Sequence, residues 1–145
     1  MIESRLTRTG ATGDKLVPMN AIYVEDEPDI AKLVQNGLGT LGISVAVYAH
    51  PEDLLQHIDE PQVSAAELLI IDIRMPGMTG LELAQRLRTL GDRRPILMVS
   101  AYNPPSRSQL RVLDATFHPK PFDFPVLLDI CRRLIATSGR PLESA

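Results

Sequence analysis

The sequence predicts an α/β protein: a doubly wound sheet of five parallel strands in the order 2-1-3-4-5, with helices on both faces. Three observations predict it. Five short apolar runs recur along the chain. Stretches with helical apolar spacing alternate with them, and such alternation implies a parallel sheet covered on both sides. The clearest run, Leu68-Leu69-Ile70-Ile71-Asp72, shows no polar alternation, as expected of a strand buried on both faces. The strand order is the natural arrangement for five such units.

Residues 1–18 hold Ser, Thr, Gly and scattered charges without periodicity, and they read as a flexible extension. The compact domain is expected over residues 19–136, with a frayed tail over 137–145. Residues 20–24 read as the first strand, ended by Glu25-Asp26-Glu27-Pro28. Pro28 suits the first turn of a helix, and the acids before it favour that helix N-terminus. Ile30, Leu33, Val34, Leu38 and Leu41 then recur at helical spacing. Residues 44–48 form the second strand. Pro51 opens a second helix, with Leu54, Leu55 and Ile58 on one face, which is expected to end near Pro61.

Residues 68–72 form the third strand. Thr79, with Glu82 three residues on, matches a capping box for the next helix. Leu81, Ala84, Leu87 and Leu90 or Leu83 supply the apolar side of that helix, and Gly91 closes it. Residues 95–100 form the fourth strand. Asn103-Pro104-Pro105 breaks the chain before a short helix over roughly residues 106–113. Residues 115–118 form a short fifth strand, and Pro119-Lys120-Pro121-Phe122 a constrained turn. Pro125 starts the last helix, with Val126, Leu127, Ile130, Cys131 and Leu134 on one face.

Composition excludes several function classes. The 145 residues suit one domain with a real core. A formal net charge of −3 gives no basic footprint for nucleic acid and no strong field for membrane binding. One cysteine allows no internal disulfide and no thiolate metal cage, which fits a reducing, cytoplasmic setting. No apolar run approaches the roughly 20 residues that span a bilayer. Residues 1–18 lack the apolar core of a signal peptide.

The chemistry is expected at the carboxyl ends of the strands, where open parallel sheets bind ligands. The proposed order sets strand one beside strand three, so Glu25, Asp26 and Asp72 converge at one edge. Carboxylates that close repel one another and raise each other's pKa unless something compensates. A divalent cation is the simplest compensation, and an all-oxygen donor set suits Mg²⁺ rather than zinc. Asp72 is then the candidate nucleophile for a phosphoryl group, giving an aspartyl-phosphate. Lys120 after strand five offers a compact positive charge for a phosphate oxygen, and Ser100 at the end of strand four offers a hydroxyl. Taken singly, these residues also read as capping acids, a turn acid, a strand-end serine and a solvated lysine. Their joint position at strand ends in one alternating fold favours a site.

Four segments together resemble a known family. Val24-Glu25-Asp26-Glu27, the run from Ile71 through Asp72, Met75, Pro76 and Met78 to Gly80, Val99-Ser100-Ala101 and Lys120-Pro121-Phe122 are similar to the receiver domain of two-component response regulators, a flavodoxin-like fold. The resemblance covers about residues 19–136. It implies that Asp72 is the phospho-acceptor, that Glu25 and Asp26 are the acidic pair, and that Asp26 is the more direct Mg²⁺ ligand, with Mn²⁺ as an alternative ion. The backbone carbonyl of Arg74 matches a further ligand. Ser100 and Lys120 match the phosphoryl-binding pair, Phe117 the switch aromatic, and Lys120-Pro121 a bond that is usually cis. Arg74 and Tyr102 fall where the family tunes phosphoryl lifetime. Implied partners are a sensor histidine kinase or a histidine phosphotransfer protein, and a downstream protein, with homodimerisation left open and neither nucleic acid nor membrane insertion expected.

The implied activity is Mg-dependent self-phosphorylation and autodephosphorylation in a cytoplasmic signalling protein rather than an enzyme. The residues after the last helix leave no room for an effector domain, so the expected type is stand-alone, acting through protein contact. A relay intermediate, a phosphate sink and a phosphorylation-independent binding module are the alternatives. An Asp-nucleophile phosphatase would want a second acid where Arg74 stands. A flavin-binding domain would want a phosphate loop where Glu25-Asp26-Glu27 stands. The chain departs from the family between Ser100 and Lys120, which is about two residues short, with Pro104-Pro105 at a helix start and Asp114 in place of glycine. A short or shifted helix is expected there, which bears on the output surface.

Overall fold

The computed structural model describes residues 19–138. The expected leader at 1–18 and most of the expected tail at 137–145 lie outside the described residues. In chain order the elements are β1 (Met19–Val24), α1 (Pro28–Thr40), β2 (Ile43–Tyr48), α2 (Pro51–Gln56), α3 (Pro61–Ser64), β3 (Leu68–Asp72), α4 (Gly80–Thr89), β4 (Ile96–Ser100), α5 (Arg107–Leu113), β5 (Ala115–Pro119) and α6 (Phe124–Ser138). The strands form one sheet in the order β2-β1-β3-β4-β5, and every pairing is parallel. This is the predicted doubly wound arrangement.

The register aligns the strand ends that matter. Val24 lies opposite Ile71, Asp72 opposite Val99, and Ser100 opposite Pro119. The carboxyl ends of β1, β3, β4 and β5 therefore finish side by side.

The apolar runs hide an alternation, because successive strand side chains point to opposite faces. Ile22, Val24, Leu69, Ile71, Ile96 and Met98 pack with Leu54, Val63, Leu83, Leu87 and Leu113, under α2 to α5. Ala21, Tyr23, Leu68, Ile70, Leu97 and Val99 pack with Val34, Leu38, Leu127, Cys131 and Ile135, under α1 and α6. Burial pushes the Cys131 thiol up to about 12, so it acts as a small core hydrophobe. Among the described residues no helix is long and apolar enough to cross a membrane.

Helix detail departs from expectation in four places, one of them in α6, where Val126 is exposed rather than on the apolar face. The helix expected to end near Pro61 stops at Gln56, and Pro61 instead opens a separate short helix, α3, where its missing N–H costs nothing. In α1 the buried stripe is Ala31, Val34 and Leu38, while Leu33 is 57% exposed. In α4 it is Leu83, Ala84 and Leu87, with Leu90 outside the helix and exposed. The predicted capping box at Thr79 is formed: Thr79 Oγ1 accepts from the Glu82 N–H at 3.1 Å, and Glu82 Oε1 accepts from the Thr79 N–H at 2.8 Å. α5 has seven residues and starts from a second capping box, Ser106 with Gln109. It ends on Asp114 at φ 53, in the left-handed conformation common at helix C-termini.

Candidate functional site

The site is built at the carboxyl edge of the sheet, on the ends of β1, β3, β4 and β5. Asp72 closes β3 and is 5% exposed. The next residue is tied back to the neighbouring strand, because the Ile73 N–H donates to the Val99 carbonyl at 3.0 Å. The Gly80 N–H then donates to the Ile73 carbonyl at 2.9 Å, closing the turn that carries Arg74 to Thr79. Only glycine fits there: a Cβ on Gly80 would collide with the Asp72 carbonyl and come within 2.8 Å of the Ile73 Cα.

Beside Asp72 stands Glu25, 1% exposed. Carboxylate oxygens of Glu25, Asp26 and Asp72 lie within 4.8 Å of one another. That donor set is all oxygen, carries three formal negative charges and fits a hard divalent cation such as Mg²⁺. The two Glu25 oxygens are already engaged. Oε1 accepts from Lys120 Nζ at 2.7 Å and from the Tyr23 hydroxyl at 2.6 Å, and Oε2 accepts from the Glu27 N–H at 3.2 Å. Asp26 lines the open cavity beside Asp72 and is the freer of the pair to hold an ion directly.

Lys120 reaches the site from the turn after β5. Its N–H donates to the Ser100 carbonyl at 2.9 Å, which fixes the backbone, and the Lys120–Pro121 bond is cis. Its Nζ lies 3.3 Å from Asp72 Oδ2 and 2.7 Å from Glu25 Oε1. One ammonium thus serves two buried carboxylates. The electrostatics follow from that sharing. Burial and the neighbouring Glu25 charge push Asp72 up to about 6, against the pull of Lys120. Burial also works against ionised Glu25, but hydrogen bonds from Lys120 and Tyr23 more than offset it and hold that carboxyl below its usual value. Lys120 itself is raised: burial disfavours its charge, and the two carboxylates overcome that.

A cavity of about 490 Å³ opens over these groups, lined by Asp26, Asp72, Arg74, Ala101, Tyr102 and Lys120 among others. Arg74 and Tyr102 meet across its mouth, with the guanidinium carbon 4.2 Å from the ring centroid. Sequence reasoning named both residues but not their contact. Ser100 is present at the edge, buried; it lines the adjoining cleft, and its hydroxyl accepts from the Tyr102 N–H at 3.0 Å. Phe117 is not in the cavity. It is half-buried in the face under α2 to α5, opposite Met98 in the register and one diagonal step from Ser100. Tyr23 was missed, because a tyrosine within an apolar strand reads as core. The available signal was its spacing: two residues before Glu25 on an extended strand, both side chains share a face.

Residues 21–132 match the family model described as the response regulator receiver domain. Among curated proteins, the chain is 28% identical to the response regulator protein TodT of Pseudomonas putida over 87% of this chain and 56% of TodT. It is 29% identical to the sensor histidine kinase RcsC of Salmonella typhimurium over 93% of this chain and 14% of that kinase. The chain therefore spans about half or less of the length of these relatives. Among solved structures, the chemotaxis protein CheY4 of Vibrio cholerae superposes with a TM-score of 0.72 at 25% identity, over 81% of this chain and 99% of that one. The response regulator TrrA of Thermotoga maritima, solved in complex with Mg(2+)-BeF, gives a TM-score of 0.70 at 27% identity, over 80% of this chain and 98% of that one.

Proposed function

Because the chain belongs to the response regulator receiver domain family, we propose that Asp72 accepts a phosphoryl group in a Mg²⁺-dependent reaction and so switches a protein-binding surface. The observation that carries this reading is the sharing of one ammonium by two buried carboxylates beside an open cavity. A phosphorylated histidine on a sensor kinase or phosphotransfer protein is the donor. An Asp72 carboxylate oxygen attacks phosphorus, the P–N bond breaks with its electron pair returning to the imidazole, and a P–O bond forms. Lys120 neutralises charge on the transferring oxygens. Asp26, Asp72 and the Arg74 carbonyl would hold the ion, with Glu25 behind them. When bound, Mg²⁺ (or Mn²⁺ in its place) offsets charge that would otherwise build up between phosphoryl group and carboxylates.

The new group adds roughly −1.5 to −2 charge at Asp72. Ser100 then gives up the Tyr102 N–H and donates to the phosphoryl group, and Phe117 repacks into the space beside it. Their adjacency on one face of β4 and β5 supports that coupling. The Arg74–Tyr102 stack supports a role for both residues in limiting water at the cavity mouth. A relay role, in which Asp72 hands the group to another histidine, draws support from the likeness to a segment of RcsC.

Incubation with acetyl phosphate and Mg²⁺, read by intact mass, tests the proposal. The expected result is a gain of one phosphoryl group in the wild type and none in Asp72→Ala. No gain in the wild type, or equal gain in the variant, overturns it. Decay of the phosphorylated protein is expected to change in Arg74→Ala and Tyr102→Ala, and equal decay in all three proteins removes these residues from the reading.

A further inference from the structure

Tyr23 is a buried hydroxyl that the phosphoryl chemistry above does not use. It is the next-to-last residue of β1, fully buried, with Val34, Leu38, Ile70 and Val99 in the same core cluster. Its O–H donates to Glu25 Oε1 at 2.6 Å, the oxygen that also accepts from Lys120 Nζ at 2.7 Å. Lys120 lies 3.3 Å from Asp72 Oδ2, so its ammonium is held closer to Glu25 than to the proposed acceptor.

That arrangement sets up a competition. A phosphoryl group on Asp72 draws Lys120 towards itself, and every contact it gains is withdrawn from Glu25. The Glu25 side chain is fully buried, and a buried carboxylate that loses its cation bears the full desolvation penalty. A second donor already in place on the same oxygen reduces that penalty, and a hydrogen bond to an ionised acceptor is among the stronger ones. Tyr23 is such a donor, and it is fixed by the core around its ring.

We infer that Tyr23 is a positioning residue: its hydroxyl holds Glu25 in place while Lys120 moves to the phosphoryl group, and so favours the phosphorylated form of Asp72. The inference rests on the phosphoryl-acceptor reading of Asp72. A tyrosine that merely fills the core, with its hydroxyl satisfied by the nearest acceptor, would make the same static contact. The two differ in what removing one oxygen atom does.

The test uses the full chain, Mg²⁺ and beryllofluoride as the phosphoryl analogue, with affinity read by calorimetry and by ¹⁹F NMR. Tyr23→Phe keeps the ring and is expected to weaken beryllofluoride binding roughly fivefold or more, the part of a hydrogen bond to a charged group that is gained once Lys120 leaves the shared oxygen. Binding of Mg²⁺ alone is expected to change less than about threefold, because Lys120 then stays on Glu25, a difference within about 0.7 kcal/mol. In a Glu25→Gln background the carboxylate is gone, and Tyr23→Phe is expected to have little further effect. Unchanged beryllofluoride affinity in Tyr23→Phe overturns the inference. So does an equal loss for Mg²⁺ alone, or an equal loss in the Glu25→Gln background. Failure of the wild type to bind beryllofluoride overturns both this inference and the reading of Asp72, and is distinct from a defect confined to the variant.

Discussion

The two edges of the sheet carry similar residues and treat them in opposite ways. At the amino edge, Arg88 and Arg94 knit together the loops entering β3, β4 and β5. Arg88 donates to the carbonyls of Leu113 at 2.7 Å, Arg94 at 2.7 Å, Asp92 at 2.9 Å and Asp114 at 3.0 Å. Arg94 pairs with Asp92 at 2.6 Å and donates to the carbonyls of Val63 and Ala66. Each charge there meets the opposite sign or a neutral acceptor. At the carboxyl edge, two like charges share one lysine, and Asp72 is held up to about 6. The settled edge holds the fold together. The unsettled edge keeps electrostatic free energy in reserve for an incoming group, which is how functional sites commonly differ from structural ones.

The largest expected effect lies at the settled edge. Arg94→Leu leaves the Val63 and Ala66 carbonyls without this donor and Asp92 without its hydrogen-bonded ion-pair partner. The expected loss is about 3 kcal/mol in urea unfolding, the scale of breaking a largely buried pair on one side. A loss below about 1 kcal/mol would place this pair with ordinary surface salt bridges. The pH dependence follows from Asp92. Burial disfavours its charge, but the Arg94 hydrogen bonds prevail and hold its carboxyl below the usual value. Its contribution is therefore complete above the unfolded carboxylate pKa of about 3.9 and is lost as pH falls through the lower, folded value. The acid limb of the stability profile is expected to flatten in Asp92→Asn.

Legibility in the sequence divides along the same line. Strand order and the convergence of Glu25, Asp26, Asp72 and Lys120 were readable because strand ends are marked by where an apolar run stops. The clamps of Arg88 and Arg94 were not, because their acceptors are carbonyls up to 31 residues away and backbone groups carry no sequence signature. The four-residue helix α3 is too short to show a period. Leu33 and Leu90 misled the helix faces, since an apolar residue has no obligation to be buried. The hydroxyl of Tyr23 escaped notice because burial of its ring explained the residue sufficiently.

The middle-sized effect has the opposite sign and lies at the unsettled edge. Asp72→Asn removes one of the two like charges while keeping the shape of the side chain. With chelator present, the variant is expected to be more stable than the wild type by about 1–2 kcal/mol at pH 7, because an Asp72 carboxyl held up to about 6 is ionised there at a cost to the fold. It is also expected to lose all phosphoryl acceptance. A wild type that is the more stable protein would mean that the Lys120 contact outweighs the repulsion, and the contrast between the edges would fail.

The smallest expected effect tests whether the settled edge is settled throughout. Asp114 is the single non-glycine residue with positive φ among the described residues, and it sits at the junction between α5 and β5. A left-handed conformation costs an L-residue roughly 1–2 kcal/mol, less for Asp than for most. Glycine avoids that cost but gives the unfolded chain more freedom. The two effects nearly cancel, and Asp114→Gly is expected to gain about 0.5 kcal/mol in urea unfolding. The backbone carbonyl that Arg88 holds is unaffected by the change. A loss of stability instead would show that the Asp114 side chain contributes, and its charge beside Arg88 is the interaction that would account for it. The amino edge would then be held by side-chain charge pairing at both of its arginines, and not at Arg94 alone.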